Sequence, residues 1–222
     1  RAVSASGVAR EELFITTKLW NGDQGYDETI RAFENSLTAL GLEYVDLYLI
    51  HWPTPMYNKY VDTWKAFEKL YADGRIKAIG VSNFKPHHLQ ELMSQTKIVP
   101  AVNQIELHPR FTQAETREYC AKHGIAVESW SPIGGAVGAG NVLAEPVLAT
   151  IGEKYGKSPA QVVLRWHVQL GLIVIPKSVH EERIKQNIDV FDFELSDDDM
   201  AQIATLDTNT RQGPDPDLMN RH

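Results

Sequence analysis

The chain carries a single cysteine, Cys120, in 222 residues. One thiol excludes an internal disulfide and suits a reducing compartment, so a cytoplasmic location is expected. No apolar run approaches the ~18 residues that a membrane-spanning helix needs. The first residues, RAVSASGVAREE, lack the apolar core of a signal peptide. No membrane partner is therefore expected. A net charge of −7 argues against a broad nucleic-acid-binding face, while leaving room for local basic pockets.

Several catalytic signatures are also missing. No G-x-G-x-x-G follows a strand-like run; GGAVGAG has the glycines without the spacing. Gly156 to Ser158 mimic the end of a P-loop, but Ile151 stands where its first glycine belongs. Ser158 reads better as the N-cap before Pro159. There is no H-E-x-x-H, no H-x-H on a strand and no G-x-S-x-G, so no metal site or nucleophile elbow is expected. Cys120 falls inside a helical stretch and reads as structural.

What the chain does have is alternation. With 43% hydrophobic and 23% charged residues it can bury a sizeable core. Strand-like runs LFITTKL, VDLYLIHW, IKAIGVSNF, AVNQIELH, AVESWSP and LIVIPKS are separated by helical periodicities. Several of those helices stop at a glycine (Gly41, Gly74, Gly124). Strand and helix in alternation predict parallel strands with crossover helices. Two α/β architectures compete, a doubly wound sheet and a (β/α)8 barrel. The chain shows no internal linker and reads as one domain, residues 1–222. Its polar tail, 208–222, reads as a mobile flap or disordered end.

Polar side chains gather at the C-terminal ends of these strands: Lys18, His51, Ser82 with Asn83, Gln104 with Glu106 and His108, Trp130 with Ser131, and Lys177 with Ser178. Parallel α/β folds place their sites there. Each residue has a plainer explanation. Lys18 could snorkel, His51 could hydrogen-bond in the core, Ser82 and Asn83 could cap the helix after Pro86, and Trp130 could pack. Recurrence on every strand favours a shared site. Ser178 and Glu181, three apart, predict a capping box at a helix start. Lys177 and Arg183 beside that N-terminus would suit a phosphate; the alternative is two solvated cations.

The motifs FITTKLW, LGLEYVDLYLIHWP, IGVSNF, VPAVNQIELHP, ESWSPIG and VIPKSVHEERIKQN, in this order, resemble the aldo-keto reductases, in particular the bacterial 2,5-diketo-gluconate reductase branch. The resemblance runs the length of the chain. It implies a (β/α)8 barrel of which this chain supplies about six strand–helix units, strands 3–8. It implies reduction of small aldehydes or ketones by NADPH, with keto-sugars one option. The sequence leaves the oligomeric state open, and a monomer is the favoured expectation. Lys18 matches the lysine that lowers the pKa of a catalytic tyrosine, and His51 the histidine that orients the carbonyl. Ser82, Asn83 and Gln104 match the nicotinamide carboxamide partners, and Trp130 the stacking platform. Ser131, Ile133 and Gly134 fall in the pyrophosphate loop. Lys177, Ser178, Val179 and Arg183 match the 2′-phosphate clamp, and Gln186 with Asn187 the adenine side. Trp20 and Trp52 match pocket tryptophans.

The chain departs from the family at its catalytic tyrosine and aspartate, which lie in a D-x-A-x-x-Y segment. No tyrosine here sits in such a segment; Tyr48, Tyr57 and Tyr119 fall in a strand, a loop and a helix. That segment is expected upstream of Arg1, and the chain by itself is expected to turn over little. The alternatives are a non-catalytic nucleotide-binding barrel and an inactive fragment.

Overall fold

A computed structural model describes residues 2–135 and 141–221. The glycine-rich stretch at 136–140, like Arg1 and His222, lies outside the described residues. The chain divides into two compact units, Arg1–Val102 with Pro216–His222, and Asn103–Asp215.

The first unit opens with a short helix α1 (Ala2–Ala5), then alternates β1 (Thr16–Leu19), α2 (Tyr26–Leu40), β2 (Val45–Ile50), α3 (Tyr60–Ala72), β3 (Ile76–Ser82) and α4 (Pro86–Gln95). β1, β2 and β3 lie side by side, all parallel, with Lys18 level with Leu49 and Leu49 level with Gly80. β2 is apolar on both faces, as a covered parallel strand should be. Leu47 and Leu49 pack with Ala78 and Val102 on one side. On the other, Tyr48 stacks on Phe67 of α3 and meets Phe33 of α2 edge-on. A Cβ on Gly80 would fall 2.7 Å from both Leu49 Cδ2 and the Val102 carbonyl oxygen, so β3 needs a bare backbone there. The helix α2 starts with Asp27 and Glu28 and stops at Gly41, whose left-handed backbone caps the Leu37 and Thr38 carbonyls.

The second unit holds β4 (Val102–Glu106), which starts on the boundary residue, α5 (Ala114–Lys122), β5 (Ala126–Trp130), α6 (Pro146–Tyr155), α7 (Pro159–Gln169), β6 (Ile173–Val174), α8 (Glu181–Ile188) and α9 (Asp197–Ala204). β4, β5 and β6 follow in that order, and β5 and β6 are parallel. Ser158 caps α7 with Gln161 answering, as expected. Buried Cys120 receives a hydrogen bond from Asn103.

Three expectations, and one of the plainer alternatives, need correction. The strand read over LIVIPKS pairs only at Ile173 and Val174; Pro176 has no N–H to continue a ladder. LFITTKL is a strand only from Thr16. The Ser178–Glu181 capping box does not form: the N-cap of α8 is His180, and Ser178 Oγ instead accepts from the His180 N–H at 3.1 Å. Nor do Ser82 and Asn83 cap α4, whose N-cap is Lys85.

The tail also differs from a loose end wherever it is described. In the second unit, the N–H groups of Thr208 and Thr210 donate to the Arg110 carbonyl and those of Gln212 and Gly213 to Glu106. In the first unit, Asp217 accepts from Lys85 at 2.6 Å, and Asn21 Nδ2 donates to the Arg221 carbonyl at 2.8 Å.

Candidate functional site

In the first unit, Lys18, Trp20, His51, Trp52, Ser82 and Asn83 come together at the C-terminal ends of β1, β2 and β3. The parallel register puts Lys18 one residue before Leu19, whose carbonyl accepts the His51 N–H at 3.2 Å. The His51 ring meets Trp20 edge-on at 5.3 Å and lies nearly parallel to Trp52 at 6.3 Å. Trp20 is 43% exposed and Trp52 only 6%, so Trp20 presents a face outward while Trp52 backs the histidine. Burial, with the Lys18 ammonium adding to it, pushes the His51 pKa down to about 4. His51 is thus a neutral imidazole at physiological pH.

The backbone beneath this cluster is held by groups that the sequence patterns do not flag. Asn83 adopts a left-handed φ of 64° and donates through Nδ2 to the His51 carbonyl at 3.0 Å and to Ser82 Oγ at 3.1 Å. Buried Gln24 donates to the Trp52 carbonyl at 2.7 Å and accepts from Thr54. Left-handed non-glycine residues are held only where surrounding bonds over-determine them. None of the three tyrosines considered above stands in for a proton donor beside His51. Tyr48 is fully buried with its pKa raised by burial, Tyr57 donates to the Asn220 carbonyl, and Tyr119 stacks on His123.

The first unit also contains a cluster of metal-ligand residue types, His87, His88 and Asp217. His88 Nδ1 accepts the Lys85 N–H at 3.1 Å, which leaves its proton on Nε2, 3.2 Å from Asp217. Asp217 also pairs with Lys85 and His87. The cluster is therefore a hydrogen-bonded anchor for the tail.

In the second unit, Gln104 and Glu106 share one face of β4, and Trp130 ends β5. Gln104 Nε2 donates to Glu128 Oε1 at 2.5 Å, both residues being buried. Glu106 is fully buried and accepts from His108 Nε2, from the Gln212 N–H at 2.6 Å and from the Gly213 N–H at 2.8 Å. Burial alone would raise its pKa, but these hydrogen bonds outweigh it and hold the carboxyl below its ordinary value. Ser131 has φ 50°, and its carbonyl accepts the Gly134 N–H at 2.9 Å, forming a tight turn that continues past Ile133. Lys177, Ser178 and Asn187 line a cavity of about 510 Å³ beside α8 with Val174, Ile184 and Phe191. Arg183 and Lys177 are exposed, and among the described residues neither has an ion-pair partner. Gln186 and Asn187 lie three and four residues after Arg183 on α8, so each neighbours it on the helix surface. Val179 is 77% exposed on the approach to that helix.

Parallel strands joined by helices, with polar side chains at the strand ends within each unit, define an α/β protein. A profile of the Aldo/keto reductase family matches residues 1–208. An aldo-keto reductase of Mycolicibacterium smegmatis is 60% identical over 220 residues, covering 99% of this chain and 78% of that protein. The glyoxal reductase of Bacillus subtilis is 57% identical over 215 residues, 97% of this chain and 76% of that protein. A mutant of Gox0644, solved in complex with NADPH, superposes with a TM-score of 0.90 at 52% identity, covering 95% of this chain and 76% of that one. The chain belongs to the aldo/keto reductase family, and its fold is that family's α/β barrel fold. These relatives do not single out the 2,5-diketo-gluconate branch. They also give no support to the expectation that the chain by itself turns over little. No helix among the described residues is long and apolar enough to cross a membrane.

Proposed function

We propose that this protein reduces small aldehydes and ketones to alcohols with NADPH. The observation that carries this reading is His51, a neutral imidazole between two tryptophans with a lysine beside it. A neutral imidazole can donate an N–H to a carbonyl oxygen and fix its direction. As negative charge develops on that oxygen, the Lys18 ammonium stabilises it from the same end of the strands. Bound NADPH would supply the hydride to the carbonyl carbon, and the proton that completes the alcohol would reach the oxygen from the His51 N–H, which water then restores.

The cofactor's partners come from the remaining strand ends. Trp130 offers an indole for ring stacking. Gln104, its Nε2 turned to Glu128, is set to accept an amide N–H through its carbonyl oxygen. Within the first unit, Ser82 and Asn83 offer a hydroxyl and an amide suited to a carboxamide. Lys177, Ser178, Val179 and Arg183 take the 2′-phosphate, for which two cations lacking ion pairs among the described residues are suited. Ser131, Ile133 and Gly134 follow the pyrophosphate, and Gln186 with Asn187 the adenine. The glyoxal reductase name of the Bacillus subtilis relative supports small dicarbonyls as substrates.

The test is NADPH oxidation by the purified protein with glyoxal, followed by loss of nicotinamide absorbance. Turnover is expected, and a drop of at least about tenfold in His51→Ala. Full turnover in that variant, or no NADPH oxidation at all, would sink the reading.

A further inference from the structure

Glu106 and the strap of residues 207–213 form a unit that the reaction chemistry leaves unused. The carboxylate sits fully buried at the end of β4. Its two oxygens accept consecutive backbone N–H groups, Gln212 on Oε1 and Gly213 on Oε2. Paired N–H groups closing on one carboxylate make a strong, directional grip, because the acceptor is charged and dry. Further contacts fix the strap ahead of Gln212. Asp207 accepts from Thr112, the Thr208 and Thr210 N–H groups reach the Arg110 carbonyl, and the Arg211 guanidinium lies 4.6 Å over the Phe111 ring.

The grip has a target. A Cβ added to Gly213 would fall 2.5 Å from Trp130 Cη2 and 2.9 Å from Glu106 Oε2. Residue 213 is therefore pressed between the carboxylate and the edge of the indole, with no room for a side chain. From this geometry we infer that Glu106 is a positioning residue for Trp130: by holding the strap against the benzo edge it fixes the plane of the indole. This rests on the reading of Trp130 as the nicotinamide platform. A platform free to rock loses part of its stacking energy to ordering when the ring ligand arrives.

The experiment uses two variants of the whole chain, with Trp130→Ala as reference. Glu106→Gln replaces one acceptor oxygen with an NH2 that cannot receive an N–H, so one strap bond is lost whichever way the amide turns. Gly213→Ala keeps both carboxylate oxygens and His108 chemically intact, while its methyl group crowds the indole and Glu106 Oε2 and pushes the strap away. It decides the matter where Glu106→Gln fails to fold. Three readouts are taken: NADPH dissociation constant, hydrogen exchange of the Gln212 and Gly213 amides, and the near-ultraviolet circular dichroism assigned to Trp130 by difference from Trp130→Ala. Faster exchange, a weakened Trp130 band and about tenfold weaker NADPH binding are expected in both variants. Faster exchange with an unchanged Trp130 band overturns the inference. So does a changed band with wild-type NADPH affinity when Trp130→Ala itself binds NADPH weakly. If Trp130→Ala binds NADPH as the parent does, the platform reading fails instead, and the Trp130 band alone still decides whether Glu106 positions the ring.

Discussion

Gln104 on β4 and Glu128 on β5 face each other across the two strands, joined by an Nε2···Oε1 hydrogen bond of 2.5 Å. A side-chain amide has two faces of opposite hydrogen-bonding sense, and a carboxylate accepts only. The glutamate therefore settles which way the amide points, and Gln104 turns its carbonyl oxygen the other way.

Glu128→Ala should let that amide turn over and should leave Gln104 without its buried acceptor. NADPH binding is expected to weaken by about tenfold, with a stability loss of about 1–3 kcal/mol. Equilibrium binding and urea unfolding read the two effects separately. Unchanged affinity in a folded variant would show that the amide's direction has no bearing on the cofactor.

Lys18→Met removes the cation that, together with burial, depresses His51. The His51 pKa should rise from about 4, though not to that of a free histidine, since burial is the larger cause and remains. Titration of the His51 ring protons by NMR measures it, and turnover should fall at least about tenfold. A His51 titration curve identical to that of the parent would contradict the pairing.

Arg183→Ala removes the forked cation from the exposed face of α8. NADPH affinity should drop by about tenfold or more while NADH affinity barely moves, because only the former carries a 2′-phosphate. Equal losses for the two cofactors would move the phosphate site elsewhere.

His51, His88 and His167 all have their pKa pushed down to about 4, with burial the first cause in each. Between pH ~6.5 and ~4 the unfolded chain therefore binds more protons than the folded one. Their contribution to stability is fully present above pH ~6.5 and is lost as pH falls toward 4. Urea midpoints should decline over that window. His167→Gln should flatten the decline by about one proton. A midpoint that is level from pH 7 to 4.5 would rule this out.

Much of this arrangement is legible in the sequence because it follows from local periodicity. Parallel pairing with a crossover helix brings the C-terminal ends of neighbouring strands to one side, so Lys18 and His51 become neighbours once β1 and β2 pair. The helix stops at Gly41 and Gly124 and the Ser158 cap are likewise local. What stays hidden is either long-range or made by the backbone. The Glu106 grip uses backbone N–H groups of Gln212 and Gly213, which leave no side-chain signature in the sequence. Glu128 inside AVESW looks like an isolated charge until β5 is laid beside β4. The Ser178–Glu181 spacing fits a capping box, yet the chain enters α8 two residues past where that box requires, with His180 at the N-cap, and Ser178 spends its hydroxyl on a turn.

The bond from Asn21 to the Arg221 carbonyl closes a loop of 200 residues. The first compact unit draws its final pieces, Asp217 and Asn220 included, from chain that a ribosome makes after the whole of the second unit. Its strands can pair early, since β1, β2 and β3 are neighbours in sequence. Its segment from Pro216 onward must wait, so the loops carrying Asn21, Met56 and Lys85 remain unfastened until that stretch emerges. During synthesis, the end that bears His51 and its two tryptophans is thus the last part of that unit to be fastened.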